Sequence, residues 1–344
     1  MATQPVWHID VLPGLEEAAR AEIAALAGPA AGASVRPHGE GALRARGIRQ
    51  AALERARRVV AVYRVVHVDV PRPRGLLGHE HLTRLAGEAR RATAGRDFHG
   101  VRIVAAGADS PVMIRLGRAL AVELGLEHDQ DDGDLVVRVV RDRARTGWEA
   151  LVRTTPRPLA TRPWRVGRFP GSLNATVAAH MVGMARARPG ARAVNLLCGA
   201  GTLAIEHLLA DPAATALGVD VDGSRALPVA AQNATAAQVA ARLSLVRADA
   251  VALPLTGAAR APVLYADMPY GDKVRWSAPP DEMYAGLLAE AARIAGPRAS
   301  FVVVTEDIAR FERAVGTSAS WQAAERLRVF HGGHRPQIWR LVGP

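Results

Sequence analysis

The sequence predicts an α/β protein, with an open, largely parallel sheet in the C-terminal half and two smaller α/β modules before it. Four short apolar runs carry that expectation. Val194-Asn195-Leu196-Leu197-Cys198-Gly199-Ala200-Gly201-Thr202 enters a glycine turn and then a helical pattern. Ala216-Leu217-Gly218-Val219-Asp220 and Leu245-Val246-Arg247-Ala248-Asp249-Ala250 each reach a carboxylate near their end. Pro262-Val263-Leu264-Tyr265-Ala266 runs into Asp267-Met268-Pro269-Tyr270-Gly271. Such runs, alternating with helical stretches, describe buried parallel strands with crossover helices. Sheets of this kind bind ligands where the strands end.

A chain of 344 residues, 49% apolar, has room for two or three domains. Val6-Trp7-His8-Ile9-Asp10-Val11 alternates as a strand, and Pro13-Gly14-Leu15-Glu16-Glu17 opens a helix that Gly28-Pro29 ends. Residues 42–47 read as a strand, 48–58 as a helix and 59–70 as a long strand bounded by Pro71 and Pro73. That order fits a ferredoxin-like domain over residues 1–70. Helix 82–93, strand 100–106, helix 112–124 and strand 135–140 make a second α/β unit over 71–156. Residues 157–168, with Pro158 and Pro163 and no periodicity, read as a linker to a domain over 169–344. Beyond the last acid-tipped strand, 280–294 and 308–314 read as helices. Residues 301–305 read as a strand, and 322–330 and 337–342 as a closing pair around Gly332-Gly333.

Net charge is +11, almost all from arginine, because Lys273 is the only lysine. A balance this basic points to a polyanion partner. Arg55, Arg57, Arg58, Arg64, Arg72 and Arg74 form one cluster, and Arg138, Arg141, Arg143, Arg145, Arg153, Arg157, Arg162, Arg165 and Arg168 a second. Guanidinium forks suit phosphates. The competing reading is a solvated arginine-rich surface and, for Arg162, Trp164 and Arg165, a packed linker. The single cysteine, Cys198, excludes an internal disulfide and a cysteine-based zinc site. His79-Glu80-His81 and His331-Gly332-Gly333-His334 lack the spacing of a metal helix, so no metal is expected. Neither a membrane-spanning run nor a signal peptide is visible, and the expectation is a cytoplasmic monomer with no membrane partner.

The stretch after the fourth strand suits transfer of a group to a planar exocyclic amine. Such an amine is a poor nucleophile because its lone pair is delocalised into the ring. The site must accept hydrogen bonds from both its N–H groups, which Asp267 and the Met268 carbonyl can do. Pro269 fixes the turn, and Tyr270 offers a ring on which a base stacks, worth about 1–3 kcal/mol. This resembles motif IV of the amino-group methyltransferases, usually Asn/Asp-Pro-Pro-Tyr/Phe, with Met268 in place of the first proline. The glycine turn lacks the third glycine of a dinucleotide fingerprint. It resembles motif I of class I S-adenosylmethionine methyltransferases, which implies cofactor contacts at Leu197, Cys198, Gly199, Gly201 and Thr202. Asp220, about 20 residues on, has the spacing of an acid that bonds ribose hydroxyls. By resemblance Val221 borders the adenine, and Asp249 with Ala250 reads its amine, while Asp222 caps the next helix.

Phe169-Pro170-Gly171-Ser172-Leu173-Asn174-Ala175-Thr176 resembles the segment that covers the methionine end of the cofactor in THUMP methyltransferases. That implicates Asn174 and Thr176, the alternative being a plain N-cap. His8-Ile9-Asp10-Val11-Leu12-Pro13-Gly14-Leu15-Glu16 and Leu159-Ala160-Thr161-Arg162-Pro163-Trp164-Arg165 resemble the N-terminal ferredoxin-like domain and the exit of the THUMP domain in RNA-modifying enzymes. As a whole the chain is similar to THUMP-containing guanosine N2-methyltransferases of tRNA, with a catalytic domain of the UPF0020 type. The resemblance implies a Rossmann-like seven-stranded sheet with an antiparallel last strand, S-adenosylmethionine as cofactor, and tRNA as partner. An adenine-N6, cytosine-N4 or guanine-N2 methyltransferase of rRNA or DNA, and a non-catalytic RNA-binding partner, stay open.

Overall fold

A computed structural model describes residues 4–28, 32–142, 145–255, 261–269 and 279–343. The chain divides into two compact units, Glu16–Ala160 with the first strand, and Thr161–Pro344 with the short segment Leu12–Leu15.

In the first unit the order is β1 (Val6–Val11), α1 (Glu16–Ala27), β2 (Ser34–Pro37), β3 (Ala42–Arg46), α2 (Gln50–Glu54) and β4 (Val59–Val68). Then come α3 (His79–Thr93), β5 (Gly100–Ala105), α4 (Pro111–Leu124), β6 (Glu127–His128), β7 (Leu135–Arg141) and β8 (Trp148–Arg153). The sequence separates residues 1–70 from 71–156, but the strands form one sheet, β2-β3-β1-β4-β8-β7-β5-β6, joined where Tyr63 of β4 pairs with Arg153 of β8. Both halves pack apolar residues under helices: Trp7, Ile9 and Val62 with Ala19 and Ile23 of α1, and Val101, Val137 and Val152 with Leu85 of α3 and Leu116 of α4. The opposite face joins a small cluster of Ala61, Tyr63 and Leu151 to an ion pair. Arg138 of β7 bonds both oxygens of Asp10 on β1, at 2.6 and 3.2 Å, although β4 and β8 lie between them. Expected helix 48–58 shrinks to α2, because the Arg58 N–H is taken by Glu22 of α1 and the chain turns into β4.

The second unit runs α5 (Ala175–Met184), β9 (Arg192–Asn195), α6 (Thr202–Ala210), β10 (Thr215–Asp220), α7 (Ala226–Ala236), β11 (Leu243–Arg247) and β12 (Ala261–Asp267). It continues α8 (Pro280–Ile294), β13 (Ala295–Thr305), α9 (Ile308–Thr317), β14 (Gln322–Arg328) and β15 (Gln337–Val342). Among the described residues the sheet order is β11-β10-β9-β12-β13-β15-β14, parallel except for β15, which is antiparallel to both neighbours. Both faces are covered, so the central strands are apolar throughout. Val194, Leu196, Leu264 and Ala266 pack under α8 and α9, while Ala193, Val263 and Tyr265 pack under α5.

The unit begins earlier than the expected boundary at 169. Arg162 is enclosed and bonds Glu206 of α6 at 2.9 Å, and Trp164 packs among Ala204, Ile205 and Leu208. Residues 161–168 are therefore built into the catalytic unit. The arginines of the two clusters also divide. Arg64 pairs with Glu88, Arg138 with Asp10, and Arg153 donates to the carbonyls of Asp134, Thr155 and Pro156. Arg55, Arg72, Arg74, Arg141, Arg145, Arg157 and Arg168 are exposed, and Arg143 lies outside the described residues.

Candidate active site

Chain direction reverses about β9: the chain passes to β10 and β11 on one side and returns as β12 on the other. Ligands bind outside the strand ends at such a point. Gly199 (φ 51°) and Gly201 (φ 83°) hold the left-handed conformations that make the turn between β9 and α6. Cys198 N–H donates to the Val219 carbonyl at 2.8 Å, and Gly201 N–H to the Cys198 carbonyl at 2.9 Å. Glycine at 218 is required beside this turn, since a Cβ there would lie 2.5 Å from Cys198 Sγ. The Cys198 thiol is enclosed and pushed up to about 12 by burial, which makes it an inert packing group.

Asp220 ends β10, and its carboxylate braces the turn. One oxygen accepts from Gly199 N–H at 2.7 Å and the other from Asp222 N–H at 2.9 Å. A carboxylate has about four acceptor positions, so ribose hydroxyls can still bond to it. Val221 is exposed beside it. Asp222 accepts from the N–H groups of Ser224 and Arg225 and organises the entry to α7, which starts at Ala226. Asp249 accepts from Val251 N–H at 3.1 Å, closing the turn after β11 and placing Ala250 inside the core. Asn174 caps α5 through Thr176 N–H at 2.8 Å. Thr176 departs from the expectation: it has no exposed surface and its hydroxyl donates to Asn174, so it holds Asn174 rather than facing a ligand.

At the end of β12, Asp267 and Met268 point to opposite faces. Met268 fills the core under α8, its N–H donating to the Val304 carbonyl at 3.0 Å, and it has no exposed surface. Asp267 lies on the α5 face, where its Oδ1 is enclosed with no hydrogen-bond partner. Burial pushes its carboxyl up to about 7. An unpartnered buried acid is costly and in a strand-end site marks a functional group. Pro269 follows it, and Tyr270 lies outside the described residues.

Two residues that sequence reasoning did not single out join the site, and with them Arg165, which it read as an RNA contact or a packed linker residue. Asn195, beside Tyr265 at the end of β9, is 1% exposed, and neither its amide oxygen nor its nitrogen has a partner. An amide inside an apolar strand run was its visible signal. Asn233 of α7, fully buried, receives Gly167 N–H at 2.8 Å and donates to the Ala200 carbonyl at 3.1 Å, tying residues 161–168 to the glycine turn. Arg165 reaches the first residue of α6, where it bonds Thr202 Oγ1 at 2.9 Å. No sequence signal separates Asn233 from surface residues. On the far side of β13, Gly332 and Gly333 form a two-residue turn with positive φ, and His331 and His334 of that hairpin contact Asn174 (3.4 Å) and Glu306 (2.8 Å). Among the described residues no group of histidine, cysteine and acids is placed to hold a metal ion, and no helix is long and apolar enough to cross a membrane.

The doubly covered sheet with its antiparallel penultimate strand, the glycine turn and the acid-tipped second strand define a class I, S-adenosylmethionine-dependent methyltransferase fold. The chain belongs to the RMKL-like methyltransferase domain family, UPF0020, which matches residues 162–337. Among solved structures it is similar to TrmN from Thermus thermophilus, 25% identical with a TM-score of 0.73, over 99% of this chain and 100% of that one. It is also similar to SMU.472 complexed with SAH, at 15% identity and a TM-score of 0.70 over 100% and 99% of the two chains. A third structure, named as a predicted N6-adenine-specific DNA methylase from Listeria monocytogenes, is 16% identical with a TM-score of 0.69 over 99% and 97%.

Proposed function

We propose that this methyltransferase acts on the exocyclic N2 amine of a guanosine in RNA, with tRNA as the substrate class. The observation that carries the reading is Asp267: a carboxyl with one enclosed, unpartnered oxygen at the end of strand β12. S-adenosylmethionine supplies the electrophilic methyl group. Asp220 would hold the ribose of the cofactor, Val221 would border its adenine, Asp249 with Ala250 would read the adenine edge, and Leu197, Cys198, Gly199, Gly201 and Thr202 would line it with backbone. Asn174 and Asn195 would face its amino-acid end.

Asp267 Oδ1 accepts one N–H of the target amine and draws the nitrogen towards the tetrahedral geometry that methyl transfer needs. The same oxygen takes the proton released when the new N–C bond forms. Met268 offers its carbonyl to the second N–H. Because that residue is enclosed, the strand end must open for a base to enter. Pro269 limits that turn, and Tyr270 supplies a face for the flipped base. The exposed arginines of the first unit, Arg72, Arg74, Arg141, Arg145 and Arg157, would hold phosphates. Relatedness to TrmN, the basic charge and the residues resembling a THUMP exit support RNA over DNA.

The test is mass spectrometry of nucleosides from tRNA and rRNA of cells with and without the gene, followed by methylation of the same RNAs in vitro. Loss of N2-methylguanosine from tRNA is expected. Loss of N6-methyladenosine, or a change confined to rRNA or DNA, would move the target. No change in any nucleoside, with S-adenosylmethionine binding absent, would leave a non-catalytic RNA-binding protein.

A further inference from the structure

Where β14 turns into β15, an exposed ring and a cation sit at the edge of the sheet on which β12 ends. The register puts Asp267 of β12 beside Val304 of β13, Val304 opposite Ile338 of β15, and Ile338 opposite Leu327 of β14. The hairpin between β14 and β15 therefore leaves the sheet beside the end of β12, two to three strand spacings away, about 10–14 Å. Phe330 lies in it at 40% exposure, the only exposed phenylalanine, tyrosine or tryptophan among the described residues. Arg335 covers its ring, with the guanidinium carbon 5.6 Å from the ring centre, and no acid among the described residues pairs with that arginine.

The ring stands on a fixed base. His331 and His334 exchange two N–H···O bonds of 3.0 Å across Gly332-Gly333, Val329 N–H donates to the Pro336 carbonyl at 3.1 Å, and Phe330 N–H to the Pro13 carbonyl at 3.0 Å. Glycine is needed at 14, where φ is 96°, because a Cβ there would lie 2.2 Å from the Arg328 carbonyl oxygen. His331 contacts Asn174 of the α5 cap at 3.4 Å, and His334 contacts Glu306, just after β13, at 2.8 Å. Packing under the hairpin is done by Val329, with Leu15 and Ile338, so the Phe330 ring is not part of the core. A single exposed apolar side chain is ordinary. Here it is combined with a guanidinium, a braced turn and a place beside the reacting carboxyl, which are the parts of a stacking platform for an unpaired base.

We propose that Phe330 and Arg335 stack an unpaired base of the RNA next to the one that is methylated. The span from Asp267 exceeds the width of a base, so the hairpin reaches a neighbour and not the target. The ring supplies a face, and the guanidinium adds stacking area and charge for the adjoining phosphate. Holding that neighbour keeps the strand splayed, so that the target base stays out of its own stack at Asp267. This role rests on the RNA methylation proposed above and is the same whichever base is methylated.

Fluorescence anisotropy with two probes tests it: a labelled oligoadenylate RNA, and the same sugar–phosphate chain carrying abasic sites throughout. Phe330→Ala should weaken the oligoadenylate about 5–100-fold, as expected for one lost stack, and leave the abasic chain unchanged. Arg335→Ala should weaken both, because it removes charge as well as stacking. The slope of log affinity against log salt should stay at the wild-type value in Phe330→Ala and fall in Arg335→Ala. Equal weakening of both probes by Phe330→Ala, or of neither, would overturn the proposal, as would a wild type that binds neither probe. Unchanged affinity for S-adenosylhomocysteine controls for the fold. If Phe330→Ala fails to fold, Phe330→Leu decides. It keeps apolar bulk and loses the ring, so it should show the same selective loss, and wild-type affinity for oligoadenylate in that variant would overturn the proposal. Methylation of tRNA is measured alongside. A wild type that binds oligoadenylate through Phe330 and methylates no tRNA would refute the proposed substrate and leave the stacking platform standing.

Discussion

Asp10 in the first unit and Asp267 in the second are both partly buried, and their carboxyls are driven in opposite directions. Burial raises each of them. At Asp10 hydrogen bonds from His8 and Arg138, and the Arg138 charge, outweigh burial and bring the group down to about 2. At Asp267 nothing opposes burial, and the group rises to about 7. Tyr63 closes the Asp10 cluster, its hydroxyl receiving Arg138 at 2.8 Å. The same residue type therefore serves as a clasp in one unit and as an unspent reagent in the other. What separates them is whether the fold supplies a partner.

Stability should show the contrast with the largest effects. Asp10→Ala leaves the partly buried Arg138 without its acid and should cost about 1–3 kcal/mol. Asp267→Asn should do the reverse at pH 8, stabilising the protein by up to a few kcal/mol, because it removes a charge that burial, which raises the carboxyl to about 7, makes costly. The pH signs also differ. Asp10, with a depressed pKa, contributes stability that is present above pH 3.8 and is lost as pH falls through about 2. Asp267 retains a proton that the unfolded chain releases, so stability falls as pH rises from 3.8 to about 7 and is level above. Denaturant unfolding of both variants across that range checks this, and a destabilised Asp267→Asn at pH 8 would make Asp267 a structural residue.

Activity should separate the two aspartates next. Asp267→Ala should slow methyl transfer by a factor on the order of 100 or more, since orientation and polarisation of the amine go together. Cofactor affinity should stay within a few fold. Asp267→Asn keeps an acceptor oxygen but cannot take a proton, so intermediate activity is expected. Wild-type rate should climb with pH to a plateau above about 7, and the Asn variant should lose that dependence. Full activity in Asp267→Ala would end the catalytic assignment.

Within the cofactor half, Asp220 combines both roles, bracing Gly199 and Asp222 while keeping acceptor positions for a ribose. Asp220→Ala should weaken S-adenosylmethionine binding by about 1.5–3 kcal/mol. Calorimetry that found unchanged affinity in folded protein would place the cofactor elsewhere.

How much of this could be read from the sequence follows from how local each feature is. The glycine turn at Gly199 and the strand ends at Asp220 and Asp267 were visible because a buried parallel strand is a continuous apolar run and its turn chemistry follows at once. Asp267 was legible as a candidate, but its missing partner was not, because partnering depends on elements far away in the chain. β8 was missed: Trp148-Glu149-Ala150-Leu151-Val152-Arg153 is short, and it exists as a strand because β4 and β7 flank it. That pairing also merges the two modules that the sequence separates. Arg162 and Arg165 read as linker cations because nothing near them announces Glu206 or the start of α6, 37 or more positions on.

The smallest effects should come from the arginines that the fold leaves exposed, and they sharpen the comparison by testing charge without burial. Arg72 and Arg74 lie in the stretch after β4, exposed in the first unit. If they contact phosphates, each removes about one condensed counterion, and Arg72→Ala with Arg74→Ala should lower the slope of log affinity against log salt by about 1–2. The effect should be equal for different RNA sequences, because phosphate contacts position without reading bases. Stability and S-adenosylmethionine affinity should hardly change, since exposed charges contribute little to folding. Arg138→Ala is the internal control: it should destabilise the first unit through Asp10, with RNA binding falling only as the fold is lost. An unchanged salt slope in the double variant would remove this part of the surface from the RNA path and leave Arg141, Arg145 and Arg157 to carry it.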